Sequence, residues 1–428
     1  MIPLNLATSS SSEKYRIIFI TIFLSLATLH QWNLVKNTNN NLSFADPWTE
    51  ADTIRSAEAF ALHGFTSNSG LPDIAFGNQF ADQGTKKILH DSENAKTWKL
   101  GTLNAREDHQ VNYNSFVYTH YPPGPSWIAG VSAKIFEPTA IAKLRTIPVL
   151  IGLLSIACFL WQIFNLVGTI KGALVAIMFA SIPMFSNMMH ILSYQGYALS
   201  LLLFAIAICI KVFIHKNPKF LDLFLLFSIS HIQGWMGFDY FFLVISLPII
   251  IMLLFPPHTI NKNKVYLMVI ACLIGFSSAH LMHFYQVISY LGSLDKALLD
   301  FSGTAAYRSQ SITYDDGSVL PSTTSLLWSY LTTYSGSWRH LGWSAFYYSA
   351  IGSIIVLALP TNTQKYRLIL GIYLSLFIAS LWVITMPQHA AQHWHFIPRH
   401  YFICIFFTSI AVLSAIPHTN KKCILPRS

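Results

Sequence analysis

Apolar runs of about twenty residues recur from one end of the chain to the other, separated by short polar turns and two long polar stretches. A helix needs about 20 apolar residues to cross the hydrocarbon core of a bilayer. The pattern therefore predicts an all-α polytopic membrane protein with about ten transmembrane helices. The runs fall at 16–33, 144–165, 171–190, 193–212, 219–237, 239–255, 265–284, 342–360, 366–386 and 399–416. The fifth and sixth are the hardest to separate, because only Gln233, Gly234 and Asp239 interrupt the apolar stretch between them. The chain then divides into an N-terminus 1–15, a first span 16–33, a long loop 34–143 and spans two to seven over 144–284. A second long loop 285–341, spans eight to ten over 342–416 and a tail 417–428 follow.

The first loop carries structure of its own. Residues 51–63 read as a helix with Ile54, Ala57, Phe60 and Ala61 on one face and Gly64 as its stop. The stretch 66–115 is polar and irregular. Prolines at 122, 123 and 125 then fix an extended approach to a helix over 125–136. About a dozen residues cannot span a bilayer, so this is expected to be an interfacial helix on the outer leaflet. The second loop, with Tyr307, Arg308, Tyr314, Asp315, Asp316 and Trp338, is long enough to fold over a bound substrate as a lid.

Composition agrees with the pattern and charge orients it. Hydrophobic residues make up 53% of the chain and charged residues 11%, far below the quarter usual in soluble domains. The net charge is +9. With the N-terminus in the cytoplasm, the inner side carries Lys14, Arg16, Lys171, Lys211, Lys216, Lys219, Lys262, Lys264, Lys365, Arg367, Lys421, Lys422 and Arg427. Glu13 and Asp222 are the only acids there, so the outer side is left slightly acidic, as the positive-inside rule expects. The basic balance is thus topological and implies no nucleic-acid partner. The expected location is the plasma (inner) membrane, multi-pass, with both termini cytoplasmic. The first span has a Lys14/Arg16 flank, but Gln31-Trp32-Asn33 follows it instead of a small-residue cleavage site, so it reads as a retained anchor. Cys158, Cys209, Cys272 and Cys404 lie within spans and Cys423 in the tail, which leaves no disulfide framework outside.

The sharpest chemical signal is Asp46-Pro-Trp-Thr-Glu50-Ala-Asp52, directly after the first span. Three carboxylates within seven residues, close to low dielectric, raise one another's pKa and suit a general base. The competing explanation is structural, since acids are favoured at helix N-termini in any case.

At this point a resemblance appears. Residues 48–65, Trp-Thr-Glu-Ala-Asp-Thr-Ile-Arg-Ser-Ala-Glu-Ala-Phe-Ala-Leu-His-Gly-Phe, resemble the segment after the first span in GT-C glycosyltransferases. The likeness is strongest to bacterial members grouped with the protein mannosyltransferase and aminoarabinose transferase families, glycosyltransferase family 39. Tyr118-Thr-His-Tyr-Pro-Pro-Gly-Pro-Ser-Trp-Ile, running on to Phe136, is similar to the family's second interfacial segment. Leu144-Arg-Thr-Ile-Pro looks like the start of its second span, and Gln392-His-Trp-His-Phe-Ile-Pro-Arg-His400 like the lead into a late one. The resemblance covers about 45–215 and, more loosely, 385–416. The family often has Asp-Glu where this chain has Thr49-Glu50, so either Glu50 or Asp52 is the base. The Gly and Pro pattern after Pro123 also departs from the commonest family version and leaves the acceptor open.

The resemblance implies a transferase that takes a sugar from a polyprenyl-phosphate donor and passes it to an acceptor hydroxyl on the outer face, by inverting displacement. The acceptor is a glycan, a lipid or a protein, and the bilayer itself is a partner. Asp52, Glu50 and Asp46 are the catalytic candidates. Arg145, Lys134, Arg308, Arg339 and Arg399 are candidates for a phosphate clamp, with headgroup anchoring as the alternative role for each. His120 and Tyr121 come from the second motif, Tyr197 lies at an outer turn bordering the same space, and Asp239 is either an outer-turn residue or an acid within the bilayer. His393 and His395, with His389 and His400, have a spacing that admits a divalent cation, although hydrogen bonding at the interface is the commoner role of such histidines. The resemblance names no certain cofactor and leaves a divalent cation possible. A transporter or flippase is the rival reading, and it would want its polar groups inside several spans, whereas here they gather outside.

Overall fold

The computed structural model describes residues 10–43, 47–74, 76, 117–182, 187–215, 218–254, 262–310, 318–332, 344–359, 364–393 and 398–416. Among them the regular structure is helical, with one isolated bridge between Asp73 and Val117. Ten of the helices are apolar. Five are long enough to cross a membrane outright: α1 (Ser10–Thr38), α4 (Thr146–Val167), α6 (Tyr194–His215), α9 (Lys262–Leu291) and α13 (Lys365–Thr385). Five are shorter: α5 (Thr169–Ala180), α7 (Phe220–Met236), α8 (Phe241–Leu254), α12 (Ala345–Ala358) and α15 (Pro398–Ala415). These ten match the ten apolar runs of the sequence, in order.

The remaining helices of six residues or more are α2 (Pro47–His63), α3 (Gly124–Phe136), α10 (Leu294–Gln310), α11 (Thr323–Thr332) and α14 (Pro387–Gln392), and two single turns lie at Ser67–Gly70 and Ile141–Leu144. The helix expected at 51–63 begins four residues earlier, so Glu50 and Asp52 both lie within its first turns. Ile54, Ala57 and Phe60 are buried, and Gly64 stops the helix at φ +87°, a conformation that costs glycine little. The face of α2 packs on α3 through Ile54, Ala57, Ala129 and Ala133. Gly130 allows the close approach, since a Cβ there would sit 3.0 Å from the Phe60 Cβ.

Three spans differ in extent from expectation. The third run predicts a helix to 190, but α5 ends at Ala180, twelve residues in all. At 1.5 Å per residue it rises only about 18 Å, too little to cross unaided. The seventh span continues past 284 to Leu291 in a single thirty-residue helix. The first likewise runs on to Thr38. Between runs five and six the chain turns at Gly237, so they are two separate helices with Asp239 in the turn.

α6 is the core of the bundle, with Ala198, Leu202, Leu203, Ala205, Ile206, Cys209 and Val212 all buried. α1 is its opposite: Ile18, Ile22, Leu26 and Leu29 are more than half exposed, as suits a helix facing lipid. The basic residues gather at one end of the bundle. There Arg16 donates to the Asn165 side-chain oxygen at 2.9 Å, and Lys171 caps α15 through the Leu413 and Ile416 carbonyls, both at 2.9 Å. Lys211 pairs with Asp222 at 2.8 Å, and Arg367 caps α8 through the Met252 carbonyl. The opposite end, where α2, α3, α10 and α14 cover the helix termini, holds the groups considered below.

The closest helix contact is between α7 and α9. A Cβ on Gly275 would fall 2.3 Å from the Phe227 carbonyl oxygen, and one on Gly234 2.8 Å from that of Phe276. Small residues let backbones meet in this way inside a bilayer. Gly275→Val is accordingly expected to separate the pair and cost about 1–3 kcal/mol or more through overpacking. Size-exclusion chromatography after a temperature series in detergent would report it as a lower melting point. An unchanged melting point would show that the contact is not tight.

Candidate active site

Glu50 and Asp52, equivalent in the sequence, have different surroundings. Two residues of helix correspond to a rotation of about 200°, so the carboxylates leave α2 in nearly opposite directions. The Glu50 side chain is fully buried. One oxygen accepts from Arg145 Nε at 3.3 Å and the Leu192 N–H at 3.1 Å. The other accepts from Arg145 Nη2 at 2.9 Å and from the Ser43 N–H. Arg145, also fully buried, donates further to the carbonyls of Asn39 and Asn41, each at 2.8 Å. This ion pair ties together the exit of α1, the head of α2, the start of α4 and the turn before α6. Its oxygens are spoken for, and so is the guanidinium, which is not available to clamp a phosphate.

Asp52 faces the other way. Its side chain is 22% exposed, and it accepts from Arg55 three residues on. Arg55 is buried and is braced by the Ile74 carbonyl at 2.5 Å. Arg55 thus holds one carboxylate oxygen of Asp52 in place beside a partly open face.

Next to Asp52 the segment 117–123 lays down a ladder of rings. Tyr118 and Tyr121 are stacked with centroids 6.0 Å apart and planes at 15°, and Tyr121 and Tyr194 repeat this at 6.0 Å and 20°. Arg308 comes from α10 and lies over the Tyr121 ring at 4.8 Å, hydrogen-bonding the hydroxyls of Tyr118 and Tyr121. Burial pushes the Tyr118 hydroxyl up to about 12 despite the neighbouring guanidinium, so it stays protonated and able to donate. Burial works against the charge on Arg308, but the surrounding phenol oxygens outweigh it and raise its pKa.

His389 completes the wall. Its Nδ1 accepts from the Trp382 indole N–H at 3.2 Å, so the ring proton sits on Nε2, which donates to the Tyr121 oxygen at 2.7 Å. Burial first, then His393 and Arg308, hold its pKa well below the usual histidine value. His389 is therefore a neutral orienting group.

At the far end of the ladder Arg399 lies 4.7 Å from the Tyr194 ring and 5.6 Å from that of Tyr240, donates to the Tyr194 hydroxyl at 3.2 Å, and forms a buried ion pair with Asp239. Asp239 is both a turn residue and a buried acid. His120 approaches Asp300 of α10 at 3.7 Å and packs against Tyr118, with ring centroids 5.1 Å apart and planes tilted at 56°. His393 lies against His389 with ring centroids at 4.5 Å.

Two of the expected residues stand apart. Lys134 is exposed on α3, its ammonium over the Phe65 ring at 4.9 Å. Tyr197 is buried in α6 among Leu201, Met236 and Trp235, packed in the core. Asp46, Arg339 and His395 lie outside the described residues. Among the described residues no group of three or more His, Cys, Asp or Glu could hold a metal ion. Sequence reasoning missed Arg55 and Asp300. The second had a signal: Asp300, Tyr307 and Arg308 are spaced by seven and eight residues, which returns to one face of a helix.

The family model for dolichyl-phosphate-mannose-protein mannosyltransferase matches residues 120–283. Those residues are similar to a segment of that family. The matched segment includes His120, Tyr121, Tyr194 and Asp239, while Asp52, Arg308 and Arg399 lie beyond its ends. It covers less than half of the chain. No curated protein matches. Among solved structures the chain is similar to the archaeal oligosaccharyltransferase AglB from Archaeoglobus fulgidus, in complex with an inhibitory peptide and a dolichol-phosphate. The TM-score is 0.46 at 11% identity, over 95% of this chain and 50% of that one. The chain thus spans about half the length of that enzyme. It is also similar to ArnT from Cupriavidus metallidurans bound to undecaprenyl phosphate, with a TM-score of 0.37 and 10% identity over 92% of this chain and 76% of that one.

Proposed function

We propose that the protein is a membrane glycosyltransferase that moves a sugar from a polyprenyl-phosphate donor to an acceptor hydroxyl at the outer face, with Asp52 as the base. One observation carries the reading: the partly open carboxylate of Asp52 is near enough for its charge to act on Tyr118, whose hydroxyl bonds the Arg308 guanidinium on a ladder of phenol rings, at the end of the bundle away from the basic residues. A lipid-linked donor needs such a place, at membrane level and open to a polar acceptor.

The reaction is a direct displacement. The acceptor oxygen attacks the anomeric carbon as the bond from that carbon to the phosphate oxygen breaks, which inverts the configuration. The acceptor's proton goes to the Asp52 carboxylate, whose orientation Arg55 fixes. The leaving polyprenyl phosphate takes the bonding electron pair, and Arg308 with the Tyr118 and Tyr121 hydroxyls stabilises the charge. Arg308 suits this role better than the other candidates. Arg145 is committed to Glu50, Arg399 to Asp239, and Lys134 stands outside the ladder.

The test is to incubate purified protein with radiolabelled polyprenyl-phosphate sugars and follow the label. The expected result is release of free polyprenyl phosphate and a product of inverted anomeric configuration. Movement of intact donor across vesicle membranes without cleavage would favour a flippase and overturn the reading. Arg308→Ala is expected to lower transfer by about 10²–10³-fold, the usual loss on removing one donor to a developing anion. Arg308→Lys should recover only part, because an ammonium cannot reproduce the fork. An Arg308→Ala enzyme with unchanged kcat/KM would remove Arg308 from the mechanism.

A further inference from the structure

We propose that a groove on the lipid-facing side of the bundle holds one acyl chain of an anionic phospholipid, whose phosphate meets Lys171 and Lys365 at the basic end. The site lies away from the ladder of rings and does not depend on the transfer reading.

The groove is a cavity of about 240 Å³ between α5, α12 and α15. Its walls are stripes at helical spacing, with Leu174, Val175 and Met178 on α5 and Ile351 and Ile355 on α12. Leu174, Ile351 and Ile355 are 54%, 57% and 40% exposed, so the groove opens sideways towards lipid. The hydroxyls in its wall are turned to protein groups. Tyr348 and Ser409 share a bond of 2.8 Å, and Thr408 and Ser349 one of 3.1 Å. Hydrocarbon surface is what remains for an occupant, which suits an acyl chain and not water.

The chemistry changes at the basic end. Lys171 lies on the α5 stripe, three residues before Leu174, and its ammonium rests on the carbonyls of Leu413 and Ile416, both at 2.9 Å. Leu413 is itself a wall residue, so this charge stands where the groove ends. Lys365 stands at the same end of α12, on the Leu357 carbonyl at 2.6 Å. An ammonium has three donors, and these carbonyls use two on Lys171 and one on Lys365.

No acid answers the two lysines. The wall helices, 169–180, 345–358 and 398–415, contain no Asp or Glu, and neither do the adjoining stretches 359–367 and 416–428. Positive charge without a carboxylate, at the end of an apolar groove, complements a molecule with a negative head and a hydrocarbon tail. A zwitterionic lipid would bring its own cation against the lysines, and a free anion would leave the groove unfilled.

The experiment titrates the full chain in detergent with single lipids and reads affinity by native mass spectrometry. The probes are phosphatidylglycerol and phosphatidylcholine with the same acyl chains. Phosphatidylglycerol is expected to bind about fivefold tighter, the worth of one lysine at an anionic surface. Lys171→Gln should bring the two lipids to equal affinity, whereas Lys171→Arg, which keeps the charge and the cap on α15, should keep the preference. Leu174→Trp, at a position open to lipid, should fill the groove and cost both lipids their affinity. Polyprenyl phosphate added to the complex should bind without displacing the phospholipid. Equal affinities in wild type would overturn the proposal. So would a Lys171→Gln protein that keeps the preference, or a Leu174→Trp protein that binds as wild type does. Displacement of the phospholipid by polyprenyl phosphate would overturn it too, since the groove would then be a seat for that lipid's tail.

Discussion

Asp52→Asn is expected to lose transfer by about 10²–10⁴-fold, the usual contribution of a positioned general base, while keeping its affinity for the donor. Asparagine is isosteric and still accepts from Arg55, so the head of α2 stays in place; only the proton acceptor is lost. Steady-state label transfer at saturating donor, with donor binding measured in parallel, gives the split: kcat falls and affinity holds. If Asp52→Asn retains wild-type turnover, the base is another group.

The second large effect falls on stability. Glu50→Gln leaves Arg145 charged and buried in a site with no compensating carboxylate. Breaking a buried pair from one side costs roughly 3–5 kcal/mol, a large share of a typical folding free energy of about 5–15 kcal/mol. The variant is expected to melt well below wild type in detergent, or to fail to accumulate in membranes. Replacing both partners, Glu50→Leu with Arg145→Met, should recover much of the loss, since the desolvation penalty then disappears as well. The contrast with Asp52→Asn is diagnostic. A Glu50→Gln protein that melts normally but does not turn over would reverse the roles assigned to the two acids.

That reversal was open at the level of sequence, and the reason is geometric. Glu50 and Asp52 share one motif, and the resemblance to GT-C enzymes left the base as either. The helix that contains both sends them to opposite sides, one into the protein and one towards the ladder. Helical phase alone says that they part; it does not say which side is buried. That depends on Arg145, 95 residues along the chain from Glu50. The same limit applies to Asp239 and Arg399, 160 residues apart. Each was a candidate singly, but nothing local shows that they neutralise one another.

The spans were easier, because an apolar run is a local property and the bilayer demands it directly. The shortfall at α5 had a local signal that a count of apolar residues passes over: Ser181-Ile182-Pro183 follow Ala180, and a proline within an apolar run interrupts or ends a helix. α10 escaped for the opposite reason. It is mostly polar, with Leu294, Leu298 and Leu299 exposed on one side and Asp300, Tyr307 and Arg308 spaced along the rest. No apolar run marks it, and the segment read as a loop. The expectation that this loop could cover a site is a matter of function, whereas the contact of Arg308 with Tyr121 is a matter of structure.

The most direct test of the central claim is to locate the lipid phosphate. Cryo-electron microscopy of the protein with polyprenyl phosphate added should show the phosphate within hydrogen-bond distance of the Arg308 guanidinium and the Tyr118 hydroxyl, on the side that Asp52 faces. Density for the phosphate at the basic end of the bundle, near Lys171 and Arg16, with none at Arg308, would contradict the account.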